Sequence, residues 1–179
     1  MEERLRKVVL TGGPSSGKST LIKELERRGH KILHEVARSV LEERRDIATT
    51  KDEWLVRQDL IYKRQLAEEE KASGLVFLDR GTIDIVAYSK HILGYVPLEV
   101  EKNNYFAVFP LERLPFVKDG LRAENGDEEA QRIHEKILET YSEFGYTLTF
   151  IPAFNEKTIE ESVSKRADYL LSRLREMSL

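Results

Sequence analysis

Gly12, Gly17, Lys18 and Ser19 stand in the pattern G-x-x-x-x-G-K-S inside "TGGPSSGKST". Glycines let a backbone curl tightly and aim several N–H groups at phosphate oxygens. A helix starting near Lys18 adds the positive end of its dipole. Lys18 offers a point charge to β- and γ-phosphates, and the Ser19 hydroxyl suits Mg²⁺. Gly12, Gly13, Pro14, Ser15, Ser16, Gly17, Lys18, Ser19 and Thr20 are therefore assigned to a nucleoside triphosphate, with ATP and Mg²⁺ the expected pair. The competing reading is a glycine-rich turn with a coincidental Lys-Ser.

A second cluster lies in "LVFLDRGTID", Leu75 to Asp84. Asp79 ends an apolar run, the place from which an acid orients Mg²⁺. Water-activating enzymes commonly need a further carboxylate beside it. The next residue here is Arg80, which cannot act as a base because its pKa is above about 12. A guanidinium can hold a phosphate or stabilise a moving phosphoryl group, so this turn suits transfer to a bound acceptor better than attack by water. The alternative for Arg80 is an ion pair with a nearby acid. Asp84 falls in the first turn of the next helix, where an acid either caps the helix or serves the site. Glu35 ends another apolar run in "HEVAR" and is expected at the same crevice as Asp79, with Arg38 one helical turn on. Glu35 either takes a proton from an acceptor hydroxyl or pairs with Arg38.

These residues need a frame. Short strand-like runs at Leu5 to Gly12, His30 to Glu35, Leu75 to Asp79, Tyr105 to Phe109 and Thr147 to Ile151 alternate with helical stretches. "LVFLD" is apolar throughout, as a strand buried on both faces should be. Leu21, Ile22 and Leu25 mark one helix, stopped by Gly29. Thr50 with Glu53, and Thr158 with Glu161, have capping-box spacing ahead of two more. Ala130, Ile133, Ile137, Leu138, Tyr141 and Phe144 form a helical stripe closed by Gly145. Five strands separated by helices predict one parallel sheet covered on both sides. Pro110 to Asp127 lacks periodicity, and a loop of about eighteen residues is uncommon in a compact domain. It reads either as a lid or as a surface excursion.

The 179 residues suit a single domain spanning 1–179, with the lid at about 110–127. The absence of cysteine excludes disulfides and thiolate chemistry, and the four histidines show no metal-ligand spacing. A net charge of −3 counts against a nucleic-acid footprint. No apolar run approaches the roughly 18–20 residues of a membrane span. The N-terminal stretch lacks the pattern of a signal peptide, so a cytoplasmic protein is expected. No N-K-x-D stretch is present to read guanine.

Taken together, "LTGGPSSGKSTLIKELERRGH", "HEVAR", "KRQLAEEE", "FLDRGTIDIVAY", "DGLR" and "GYTLTFIP" resemble the NadR-like AAA/P-loop family of ATPases and kinases. That family is related to nicotinamide riboside kinase and to deoxynucleoside and thymidylate kinases. The resemblance implies a P-loop NTPase three-layer α/β/α sandwich, its five-stranded sheet in the order 2-3-1-4-5, with an arginine-bearing lid. It matches Glu35 and Arg38 to the acceptor side, Arg64 and Gln65 to an Arg-Gln pair on the long helix, and Asp79, Arg80 and Asp84 to a D-R-G-x-x-D turn. It matches Arg122 to the lid arginine.

The leading expectation is a Mg²⁺-dependent ATP phosphotransferase acting on a small acceptor such as a nucleoside or nucleotide. Lys18, Glu35, Asp79, Arg80 and Arg122 would carry the chemistry. Glu35, Arg38, Arg64, Gln65, Arg80 and Asp84 would meet the acceptor, and Ser19 and Asp79 would hold the metal. The alternatives are a nucleotide-dependent regulatory switch and a polynucleotide 5′-end kinase.

Overall fold

The computed structural model describes residues 5–44, 50–96, 100, 102–114 and 126–177. Its centre is β1 (Arg6–Thr11), flanked by β3 (Leu75–Asp79) and β4 (Ala107–Pro110), with β2 (Lys31–Leu33) outside β3. All pairings are parallel, and Leu10 stands opposite Asp79 on one side and Phe109 on the other. Alternation along β1 sends Val8 and Leu10 to one face and Val9 to the other. Both faces are covered, so Val8, Val9 and Leu10 run apolar without a polar side, with Arg6, Lys7 and Thr11 at the strand ends.

On one face, α1 (Lys18–Arg27) and α6 (Ile159–Met177) bury Leu21, Leu25, Ala167, Leu170 and Leu174 against Leu10, Phe77 and Phe109. On the other, α4 (Thr82–Leu93) and α5 (Asp127–Glu143) bury Ile83, Ala87, Ile133, Ile137 and Tyr141 against Val9 and Leu78. A third cluster joins α2 (Val36–Arg44), α3 (Lys51–Lys71) and α4 through Val40, Ile61 and Ile85. The result is the expected α/β/α layering. Both capping boxes form: Glu53 N–H donates to Thr50 Oγ1 at 3.2 Å and Thr50 N–H to Glu53 Oε2 at 3.1 Å. Thr158 and Glu161 repeat the exchange ahead of α6.

The sheet departs from expectation at its edge. Its described strands number four, in the order β2-β3-β1-β4. Residues 147–151 do lie parallel to β4, but only through isolated bridges, Val108 with Leu148 and Leu111 with Ile151. Ile151 N–H donates to the Pro110 carbonyl at 2.8 Å, and Glu112 N–H donates to the Ile151 carbonyl at 3.0 Å. Two residues back, the same ladder would need an amide hydrogen on residue 110, aimed at the Thr149 carbonyl. Pro110 has none, so the fifth strand breaks into two contacts. β4 also begins two residues later than predicted: Tyr105 N–H bonds the Asn103 carbonyl at 3.1 Å, within its own segment, instead of a neighbouring strand. Among the described residues, no helix is long and apolar enough to cross a membrane.

Candidate functional site

The loop from Gly12 to Gly17 runs from the end of β1 into α1. Gly12 has φ +133° and Gly17 φ +78°, conformations that side chains rarely adopt. Gly13 is constrained by space instead: a Cβ there would lie 2.8 Å from His134 Cβ and 3.0 Å from the Ala130 carbonyl oxygen. The loop therefore presses against α5 with no room for a side chain. Gly13 N–H donates to His134 Nδ1 at 3.0 Å. Burial, and then the charge of Arg113, hold the imidazole below its ordinary pKa against a smaller opposing pull from Glu135. Nδ1 thus stays an acceptor at neutral pH. From the other side, Leu114 N–H donates to the Ser15 carbonyl at 2.9 Å, so the start of the 110–127 segment lies on the loop. Ser19 and Thr20 are exposed in the first turn of α1.

Lys18 and Asp79 are both 6% exposed, and the Lys18 ammonium pairs with Asp79 Oδ1. Parallel registry brings this about. Leu10 pairs with Asp79, so the carboxylate ends its strand level with the beginning of the loop.

Arg80 follows with φ +74°, one of two non-glycine residues of positive φ among those described. That geometry costs about 1–2 kcal/mol for an L-residue and persists only where its surroundings impose it. Arg80 N–H bonds the Leu10 carbonyl at 3.1 Å, and Gln65 Nε2 bonds the Arg80 carbonyl at 3.4 Å. The guanidinium is turned back over the loop. Its Nε donates to Glu35 Oε1 at 2.9 Å; its Nη1 donates to the Gly12 carbonyl at 3.2 Å and to Asp84 Oδ1 at 3.1 Å. The Tyr88 ring lies 5.3 Å below it. Burial opposes the charge on Arg80, but Tyr88, Glu35, Asp84 and Asp79 outweigh it and keep the group protonated. Burial likewise pushes Glu35 up, yet Arg80, Lys18 and Arg38 together hold it below the ordinary carboxylate value. At neutral pH Glu35 is ionised, ready to accept a hydrogen bond from a hydroxyl.

The other predicted residues divide. Asp84 is 1% exposed and fully engaged: Oδ1 accepts from Thr11 and Arg80, and Oδ2 from Gly81 N–H and Tyr141. It stands behind Arg80 rather than in the crevice. Gln65 is 3% exposed and braces the Arg80 carbonyl, with Glu69 as its other partner. Arg38 pairs with Glu42 at 3.1 Å instead of with Glu35, and Arg64 reaches both oxygens of Glu43 at 2.8 Å. Arg64, Glu43, Ser39 and Glu35 line a cleft of about 680 Å³ between β2, α2 and α3. Arg122 lies outside the described residues.

Sequence reasoning passed over a second buried network. Glu69, 1% exposed, accepts from Gln65, from Asn103, from Lys7 and from the Tyr105 hydroxyl. Tyr105 in turn accepts from Thr82 N–H at 2.8 Å and fills the space where a side chain on Gly81 would be. Glu69 therefore steadies the turn on both sides of Arg80 and Gly81. Its sequence surroundings, "AEEEK", look like an exposed helix face and give no sign of this.

The Ser19 hydroxyl, exposed in the first turn of α1, and the Asp79 carboxylate, paired with Lys18, are oxygen donors of the kind a hard cation takes. Among the described residues no cluster of three or more His, Cys, Asp or Glu could hold a metal alone. Hard oxygen donors of this number suit Mg²⁺, which keeps several waters and is completed by substrate phosphates.

A family described as an AAA domain matches residues 7–161. No curated protein matches significantly. Among solved structures, the chain is similar to a NadR protein in complex with NR, with a TM-score of 0.70 and 20% identity over 96% of this chain and 51% of that one. It is also similar to thymidylate kinase from Ehrlichia chaffeensis, with a TM-score of 0.60 and 12% identity over 94% and 98% of the two chains. For deoxyadenosine kinase from M. mycoides with bound dATP the TM-score is 0.62, with 15% identity over 94% and 99%. The chain spans about half the length of the NadR protein. These likenesses carry the fold.

Proposed function

The chain belongs to this AAA-domain family and has the fold of the P-loop kinases; from that premise we propose that it is a Mg²⁺-dependent ATP phosphotransferase acting on a small acceptor hydroxyl, in one domain whose 110–127 segment serves as a lid. The observation that carries this reading is the convergence on Arg80. One guanidinium bonds the loop carbonyl of Gly12 and the carboxylate of Glu35, beside the Lys18–Asp79 pair. A phosphate side and an acceptor side thus share one cation.

In the proposed reaction the loop amides and Lys18 hold the β- and γ-phosphates, which takes the ammonium from Asp79. Ser19 and Asp79 would hold Mg²⁺, whose bound charge would neutralise the phosphate oxygens. Glu35 accepts the hydrogen bond of the acceptor hydroxyl and orients its oxygen in line with the γ-phosphorus. The acceptor oxygen forms a bond to that phosphorus as the bond to the β–γ bridging oxygen breaks. The hydroxyl proton passes to Glu35, or to Asp79 where the acceptor lies nearer to it. Arg80 stabilises charge on the moving group, and Arg122 is assigned the same task from the lid.

The test is turnover of ATP with a panel of nucleosides, nucleotides and vitamins, followed by ³¹P NMR of the products. Acceptor-dependent formation of ADP and a phosphorylated acceptor supports the proposal. Tight ATP binding with no acceptor-stimulated turnover would replace it with a nucleotide-dependent switch.

A further inference from the structure

We propose that Arg166, on α6 and remote in sequence from every motif of the site, is a positioning residue that sets the phosphate loop for anions. This rests on the reading of the loop as a triphosphate cradle and adds a residue to it. Arg166 is 4% exposed, and its guanidinium is spread over backbone carbonyls from separate segments. Nη1 donates to the Ser16 carbonyl at 2.6 Å, Nε to the Pro152 carbonyl at 2.9 Å, and Nη2 to the Glu112 carbonyl at 3.1 Å. These segments are the phosphate loop and the chain leaving the two neighbouring strand positions at the sheet edge.

The bond to Ser16 has a directional result. A trans peptide is planar, with its C=O and N–H pointing opposite ways. Tying the Ser16 carbonyl outward to Arg166 therefore turns the N–H of Gly17 inward, towards the hollow of the loop. The preceding peptide is held in the same sense, because the Ser15 carbonyl accepts from Leu114 N–H. Contact with Arg166 is close: a Cβ on Gly17 would lie 3.0 Å from its Nη1. Orientation of loop amides before the anion arrives removes a reorganisation cost from binding.

The charge matters as well as the direction. Among the described residues no carboxylate forms an ion pair with Arg166. Glu112 gives Arg166 its carbonyl and turns its carboxylate to Ala153 N–H at 2.9 Å. A guanidinium held among carbonyls behind the loop, with no carboxylate bonded to it, still contributes positive charge towards an anion in front of it, although Glu112 offsets part of that charge.

The experiment is calorimetric binding of inorganic tripolyphosphate and a non-hydrolysable ATP analogue to the wild type, Arg166→Met, Arg166→Lys and Lys18→Ala. Both ligands should bind Arg166→Met about 10-fold or more weakly, since one charge-assisted donor and one cation are gone. Arg166→Lys, which keeps the charge but not the fork, should recover part of that loss, while adenosine binding stays unchanged in both. In wild-type protein, tripolyphosphate should shift the Gly17 amide and Arg166 Nε–H resonances together, and the Gly17 shift should shrink in Arg166→Lys. If Arg166→Met does not fold, the lysine variant and the wild-type resonances decide. Wild-type affinity in the Arg166 variants beside lost affinity in Lys18→Ala overturns the role of Arg166 alone, as do resonances that ignore the anion when it binds. Unchanged affinity in Lys18→Ala overturns the loop reading itself.

Discussion

Glu35 Oε1 lies 2.9 Å from Arg80 Nε, so the end of β2 is joined to the turn after β3 by one ion pair. The same guanidinium holds the Gly12 carbonyl. An acid that would meet an acceptor and a loop that would hold a donor are thereby kept in register by a single side chain.

Arg80→Ala should lower acceptor-dependent turnover by roughly 100-fold or more, while the affinity for a non-hydrolysable triphosphate changes by only a few-fold. Steady-state kinetics beside calorimetry will separate the two. Because residue 80 has φ +74°, Arg80→Gly should be more stable than Arg80→Ala by about 1 kcal/mol, measured by denaturant unfolding. Equal stabilities would mean that the turn relaxes when the side chain is removed.

Lys18→Ala should abolish triphosphate binding and lower stability by about 1–3 kcal/mol, because Asp79 is left buried without its cation. Joining Lys18→Met with Asp79→Leu should restore stability without restoring binding, since neither charge is then stranded. Unfolding curves for the single and double variants provide the check.

Gly13→Ala should destabilise the protein by about 1–3 kcal/mol, because the new methyl meets His134 Cβ and the Ala130 carbonyl, neither of which can swing away. Thermal unfolding will measure it. A variant as stable as wild type would mean that α5 yields.

Stability should decline as pH falls from 7 through the ordinary histidine value near 6.5. His134 and His30 are both held below that value in the fold, by burial first and by Arg113 or Arg28 second. Between the unfolded and the folded pKa the unfolded chain binds more protons, so acid favours unfolding there. His134→Gln should flatten this slope, with His30 carrying the remainder. The Glu35 contribution lies lower: it is present above pH 4.5 and is lost as pH falls through its depressed folded value.

Local signals made much of this legible. The phosphate loop depends on glycine spacing within a dozen residues, and strand, loop and helix follow in the order the motif needs. The capping boxes at Thr50 and Thr158 are equally local. What escaped depends on contacts across the fold. Gln65 reads in sequence as an acceptor contact, yet its amide props the Arg80 carbonyl from beneath. Asp84 is an N-terminal helix acid whose partners, Thr11 and Tyr141, come from β1 and α5. His134 and Arg166 sit on helices whose periodicity gives no reason to aim them at the loop. The fifth strand failed because an apolar run indicates extended chain but not whether its neighbour, here Pro110, can donate to it.

A second proline on that edge, Pro152, bears on how the molecule avoids its own kind. Thr149 and Ile151 spend their amide hydrogens on β4, so Leu148, Phe150 and Pro152 occupy the outward positions of the segment. Pro152 has no hydrogen to offer there. At the opposite margin β2 is only three residues long. Among the described residues neither border gives a second chain a long template for strand addition, which discourages sheet-to-sheet aggregation even with Phe150 exposed.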